Sequence, residues 1–109
     1  MNVGELKDVA AWKNIMPGSP PSLHVVGKIT APTPCHDAHA CYTGDSKSNP
    51  PIYNISIELV ARPGICIQVL SDIPFHYVEH NYAGTHGQVT VSTSVGSGDS
   101  VTVDVQTVT

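Results

Sequence analysis

The segment Cys35-His36-Asp37-Ala38-His39-Ala40-Cys41 places two thiols, two imidazoles and a carboxylate within seven residues. Thiolate and imidazole are soft and borderline donors, suited to Zn(II) or Cu(I). The spacings are Cys-x3-His and Cys-x5-Cys, not the tighter Cys pairs of zinc fingers. Cys35, His39 and Cys41 converge if Asp37 and Ala38 turn, and His36 or His86 then completes the set. The candidate metal ligands are therefore Cys35, His36, His39, Cys41 and His86, with zinc or copper as the ion. No other cofactor is called for. Two further readings stand beside this one, a Cys35–Cys41 disulfide ring and a polar loop with no ligand, because cysteine spacing alone does not decide redox state. Cys66 lies in an apolar run and reads as a buried small hydrophobe.

A second constellation, His76-Tyr77-Val78-Glu79-His80, matches the H-x-x-E-H pattern of inverted zinc peptidases. That chemistry needs a helix, so that both histidines share one face while the glutamate acts as base. The segment follows Pro74 and is rich in Phe, Tyr and Val, which favours a strand. On a strand His76, Val78, His80 and Tyr82 share a face, and His76 and His80 stand about 13 Å apart. One ion is not chelated by both on a straight strand. Either histidine joins a ligand from elsewhere or is simply exposed.

Nucleophilic catalysis has raw material in Cys35 or Cys41 beside a histidine, but nothing marks an oxyanion hole. Gly96-Ser97-Gly98 joins two strands and so reads as a hairpin turn rather than a phosphate loop. Glu58 and Glu79 read as a solvated face. Asn54-Ile55-Ser56 fits a glycosylation sequon inside a strand. Trp12 reads as a core or interface anchor. No catalytic residue is assigned, and the balance leans away from an enzyme.

The elements that position these groups follow from composition. The 109 residues suffice for one domain. Val, Ile and Thr make up 31 of them against four Leu, and β-branched side chains suit a pleated sheet. Four Lys and one Arg, in a chain of net charge −4, cannot neutralise a run of phosphates, which excludes nucleic acid as a partner. The same scarcity excludes a polybasic membrane anchor, and no apolar run reaches the length needed to span a bilayer. Met1 to Trp12 lacks the apolar stretch of a signal peptide, so the expectation is a cytoplasmic location.

Along the chain, residues 5–15 read as a short helix or an edge strand, and Met16-Pro17-Gly18-Ser19-Pro20-Pro21 ends them. Leu23, Val25, Gly27, Ile29 and Ala31 alternate with polar residues as a half-buried strand does. Cys35 to Pro51, with Ser48-Asn49-Pro50-Pro51 at its end, reads as a long loop hiding a short strand near Ala40 to Thr43. Ile52–Val60 and Ile65–Leu70 read as a hairpin turning at Arg62-Pro63-Gly64. Phe75 to Tyr82 is extended, and Ala83-Gly84-Thr85-His86-Gly87 is a turn. The runs Val89 to Val95 and Val101 to Val105 form a last hairpin with few charges.

Leu23-His-Val-Val-Gly-Lys-Ile-Thr-Ala-Pro-Thr-Pro, with Arg62-Pro63-Gly64, Ile67-Gln68-Val69-Leu70 and Tyr77-Val78-Glu79, resembles small uncharacterised bacterial proteins of immunoglobulin-like sandwich character. The resemblance implies a fold, and neither an activity nor a site residue. The Cys35–Cys41 insert lies outside its pattern. The reading is an all-β, antiparallel immunoglobulin-like β-sandwich of six or seven strands over residues 22–109, preceded by an N-terminal extension over residues 1–21. Its expected core is Leu23, Val25, Ile29, Ile55, Ile57, Leu59, Ile65, Ile67, Val69, Val89, Val91, Val101 and Val103. The expected role is a small non-enzymatic binding or structural module whose partner is another protein or a second copy, with the Val89–Val105 hairpin as the free edge. The alternatives are a metal-binding or thiol-redox protein using the Cys35–Cys41 loop and, third, a small hydrolase.

Overall fold

Alternation of β-branched and polar residues folds the described residues into seven strands: β1 (Leu6–Asn14), β2 (Ser22–Ala31), β3 (His36–Asp45), β4 (Tyr53–Ala61), β5 (Ser71–His80), β6 (Gln88–Thr93) and β7 (Asp99–Val108). The computed structural model describes residues 2–47, 51–82, 84 and 86–108. Ser48, Asn49 and Pro50 of the expected long loop, and Ala83 and Thr85 of the expected turn, lie outside the described residues. The strands lie in the order β3-β4-β6-β7-β1-β2-β5. β7 joins two halves, pairing with β6 through Asp99–Asp104 and with β1 through Val105–Val108. The terminal strands β3 and β5 then come together without a ladder among the described residues, so the sheet is nearly closed, like a barrel.

The all-β expectation holds, but the pairing is mixed. β1–β7 and β4–β6 are parallel, where the sequence predicts antiparallel pairing throughout. For β4–β6 the cause is connectivity. β3 forms a hairpin with β4 and takes the outer place, so β4 lies next to β6 and runs in its direction.

Four other expectations change. Residues 5–15 contain a strand, and the segment expected as an N-terminal extension supplies β1, inside the sheet between β7 and β2. β3 is ten residues long where a loop with a short strand was expected, because Ala38 and Ala40 tuck against the core while Asp37, His39 and Cys41 face out. The Val89–Val105 hairpin is no edge, as β4 covers β6 and β1 covers β7. Ile65–Leu70 forms no strand with β4, because β3 and β6 already occupy both of its sides.

The core consists of Leu23, Val25, Ile29, Ile55, Ile57, Val89 and Val91 from the expected set, joined by Leu6, Ile73, Phe75, Tyr53 and Tyr82. Leu59, Val101 and Val103 pack against it half-buried. Ile65, Ile67 and Val69 are exposed instead.

Two local devices set the register of β1. Lys7 pairs with Lys28 and Ala10 with Val26, so Asp8 and Val9 together oppose Gly27 in a β-bulge. Asp8 adopts the left-handed backbone there, with φ 52°, a conformation that Asp tolerates better than most residues. Gly27 is required for space, since a Cβ would sit 2.6 Å from Phe75 Cζ. Upstream, the Asp99 carboxylate accepts the Leu6 and Ser100 amides, which hold its pKa below 3.8.

Gly4 and Gly96 cross at contact distance. A Cβ on Gly96 would lie 2.2 Å from the Val3 carbonyl oxygen, and Gly96 has φ 63°. Backbone cannot swing aside as a side chain does. Gly96→Ala is therefore expected to lower stability by about 2 kcal/mol or more, read from urea unfolding midpoints. An unchanged midpoint would contradict the crossing.

Candidate functional site

All four tyrosines of the chain, Tyr42, Tyr53, Tyr77 and Tyr82, meet at one end of the β3–β5 seam. Tyr53 opens β4, and the inward face of that strand buries it to 2% exposure. Tyr42 of β3 stacks on it at 4.2 Å, while Tyr82 and His86 present edges at 6.2 and 5.1 Å. Aromatic rings favour offset and edge-on contacts of this kind. From β5, Tyr77 Oη lies 2.9 Å and Glu79 Oε1 2.8 Å from Tyr53 Oη. A phenol has one proton to give. Tyr53 donates it to the carboxylate and therefore accepts from Tyr77, making a directed chain Tyr77→Tyr53→Glu79.

A second chain lies beside the first. Tyr82 Oη accepts the His86 backbone N–H at 3.1 Å and lies 2.6 Å from His86 Nδ1, to which it donates. That leaves the imidazole proton on Nε2, 3.0 Å from Asp45 Oδ1. The distance suits a hydrogen bond but the alignment does not, so Nε2 is a buried nitrogen without an aligned partner. The same Asp45 oxygen accepts Tyr42 Oη at 2.7 Å. Lys13 Nζ stands 5.4 Å from the Tyr82 ring centroid and donates to the Gly84 carbonyl.

The electrostatics follow from these contacts. The Tyr42 hydrogen bond, and then His86, hold Asp45 below 3.8. The same bond to Asp45 pushes Tyr42 up to about 12. Burial first, then the bonds to Tyr77 and Glu79, raises Tyr53 strongly, and burial raises Tyr82. Phenols held protonated in this way are poor nucleophiles and poor bases at neutral pH. What the cluster can do chemically is bind the seam shut.

The other end of the seam is held covalently. Cys35, just before β3, is bonded to Cys66 rather than to Cys41. Arg62 reinforces the join, its amide donating to the Cys35 carbonyl and its Nη2 to the Pro34 carbonyl. Closing a loop across 31 residues stabilises the fold by about 3.5 kcal/mol in the chain-entropy account.

The structure does not gather the five sequence-derived metal ligands. The Cys35 sulfur is taken by Cys66, so Cys66 is no free hydrophobe, and Cys41 is a free, exposed thiol. His36 Nδ1 is held by Thr33. His39 faces out from β3 opposite Glu58. His86 belongs to the tyrosine cluster. No turn forms at Asp37 and Ala38, and no group of three or more metal-ligating side chains occurs among the described residues.

The H-x-x-E-H segment lies on β5 and its face is divided. Glu79 points inward to Tyr53, not to a solvated face, while His76 and His80 are exposed on the opposite side beside His24. Burial, then the neighbouring His76 and His80, keeps His24 below 6.5. Sequence reasoning missed Tyr42, Asp45, Tyr53, Tyr77 and Tyr82. The available signal was that tyrosine occurs only near the ends of β3, β4 and β5.

Compared with protein-family models, with curated proteins and with solved structures, the chain matches none.

Titration of tyrosinate absorbance reads this cluster alone, since no tyrosine lies elsewhere. Tyr42, Tyr53 and Tyr82 are expected to ionise above 10.0. Their raised values mean that the stability they contribute is complete below pH 10.0 and is lost as pH climbs through the folded values, about 12 for Tyr42. The depressed Asp45 contributes above 3.8, and its share is lost as pH falls through its folded value. Asp45→Asn should bring the Tyr42 titration back toward 10.0. Tyr42, Tyr53 and Tyr82 ionising together near 10.0 in the folded protein would contradict the cluster.

Proposed function

We propose that the protein is a small non-enzymatic binding module that pairs with a second copy of itself through residues 63–70. The observation that carries this reading is the exposure of an uncharged, β-prone run. Ile65 is fully exposed, Ile67 is 70% exposed, and Val69 and Leu70 are also open to solvent. The run Ile-Cys-Ile-Gln-Val-Leu has the composition of a strand, yet residues 65–70 adopt none. Exposed, contiguous apolar side chains of this kind mark contact surfaces.

The Cys35–Cys66 bond supports the same reading. It fixes the middle of the segment to the body of the protein, which lowers the entropy lost when a partner orders it. A second copy presents the same segment, and antiparallel pairing across a two-fold axis satisfies both at once. Segments without charge from Pro63 to Ser71 bring no like-charge repulsion into such a pair. A bonded Cys35–Cys66 pair also suits an oxidising compartment, which favours that setting over the cytoplasm.

The fold supports a finer structural reading of the same module. The halves β5-β2-β1 and β3-β4-β6, bridged by β7, support reading the module as a two-sheet immunoglobulin-like sandwich. In this reading β3 and β4 have exchanged places, which accounts for the parallel β4–β6 pair.

Sedimentation of the wild-type chain should show a concentration-dependent dimer. Ile65→Asp/Ile67→Asp should weaken it at least about 100-fold, from the burial each isoleucine forfeits. A wild-type chain that stays monomeric up to its solubility limit, or a double variant that dimerises equally well, would contradict the proposal.

A further inference from the structure

The outer face of β2 and β5 carries an arrangement that the tyrosine cluster and the 63–70 segment leave unused. His24 of β2 pairs in register with Val78 of β5, which places His76 and His80 on the two diagonals of the same face. On one diagonal the imidazoles meet, with His24 Nδ1 3.4 Å from His76 Nε2 and ring centroids 5.6 Å apart. Both rings are accessible, His24 half-buried and His76 exposed.

We infer that His24 Nδ1 and His76 Nε2 form a two-imidazole site for a divalent d-block ion, zinc by preference. Three observations carry this, beginning with the span. Two nitrogens bound at about 2.0–2.1 Å with a tetrahedral angle between them lie about 3.4 Å apart, which is the separation present. The second is the orientation of the His24 ring. Its other nitrogen, Nε2, lies 2.9 Å from Ser22 Oγ, and an imidazole that donates through one nitrogen presents a lone pair at the other. Ser22 Oγ can accept the Nε2 proton, and in that tautomer Nδ1 faces His76 as a base. The third is support from behind, where Trp12 stacks on His24 at 5.1 Å with the planes 6° apart. That packing holds the ring in the plane the site needs.

The chemistry balances simply. Without an ion, the proton on His76 Nε2 bridges to His24 Nδ1. On binding, His76 moves to its other tautomer, both facing nitrogens donate a lone pair, and water fills the remaining positions. No thiol is involved, which separates this site from the Cys35–Cys41 loop. Imidazole suits zinc, copper and nickel alike, so copper(II) serves as a probe that binds the same donors.

Trp12 is the only tryptophan, and its stacking on His24 makes it a local reporter. Copper(II) should quench its fluorescence with a one-to-one endpoint, zinc(II) should reverse that quenching in competition, and calorimetry with zinc(II) alone should give the same stoichiometry. His76→Ala, at an exposed position, should weaken zinc at least about tenfold, and Ser22→Ala should weaken it less. His24→Gln serves as the second ligand variant, with circular dichroism confirming its fold. His80→Ala, on the diagonal that supplies no ligand, and His39→Ala/Cys41→Ser on β3, away from the site, should each leave the affinity within about twofold. No stoichiometric zinc binding, or binding that survives His76→Ala and fails with His80→Ala or with the β3 variant, would overturn the proposal.

Discussion

The hydrogen bond from Tyr53 to Glu79 joins β4 to β5 where no backbone ladder does. Six strand pairings run from β3 round to β5, and each is secured by amides and carbonyls. Between the terminal strands β3 and β5 no ladder forms among the described residues, and side chains of β4 and β5 bridge beside them. Tyr53 is suited to that task because its ring is buried among apolar neighbours while its hydroxyl reaches a carboxylate from the opposite strand. A buried phenol that loses its acceptor carries the full cost of desolvation. Tyr77 and the Tyr42–Asp45 pair extend the same closure, and the Cys35–Cys66 bond closes the other end. Strand edges left open invite association with other chains. Here side chains close the edges instead.

That closure depends on how the chain passes between the two halves. β7 exchanges its partner from β6 to β1 at Val105, so one strand turns the corner that a sandwich would leave to a loop. The bulge at Asp8 and Val9 lets β1 follow the corner while keeping Leu6 and Ala11 in the core. Gly27 opens the space into which the Phe75 ring fits. A slip of one residue between β2 and β5 would turn the inward face of β5 outward. Tyr77 and Glu79 would then leave Tyr53, and His76 and His80 would leave His24.

Much of this was legible in the residues. The alternation in Leu23–Ala31 and Tyr53–Leu59 located two strands and half of the buried core, because period two is a local property of the chain. What stayed hidden was non-local. Nothing in the Cys35–Cys41 spacing tells that the third cysteine, 31 residues on, takes the first. The apolar run 65–70 reads as a strand on its own terms, and only the occupancy of both sides of β4 excludes it. The parallel β4–β6 pair depends on which of β3 and β4 lies outermost, and the parallel β1–β7 pair on where β1 joins the sheet, both choices made by tertiary packing. The tyrosines share no motif, since Tyr42, Tyr53, Tyr77 and Tyr82 approach one another from three strands and a loop. The histidine pair was half visible. The distance along β5 ruled out chelation by His76 and His80 together, and the partner from another strand, His24, needed the register to be found.

Side chains across the seam stand in for the ladder that β3 and β5 do not form among the described residues. A double-mutant cycle between Tyr53→Phe and Glu79→Ala, followed by urea unfolding, isolates the bond between them. A coupling of about 1 kcal/mol or more between the two positions is expected. Strictly additive losses would contradict it.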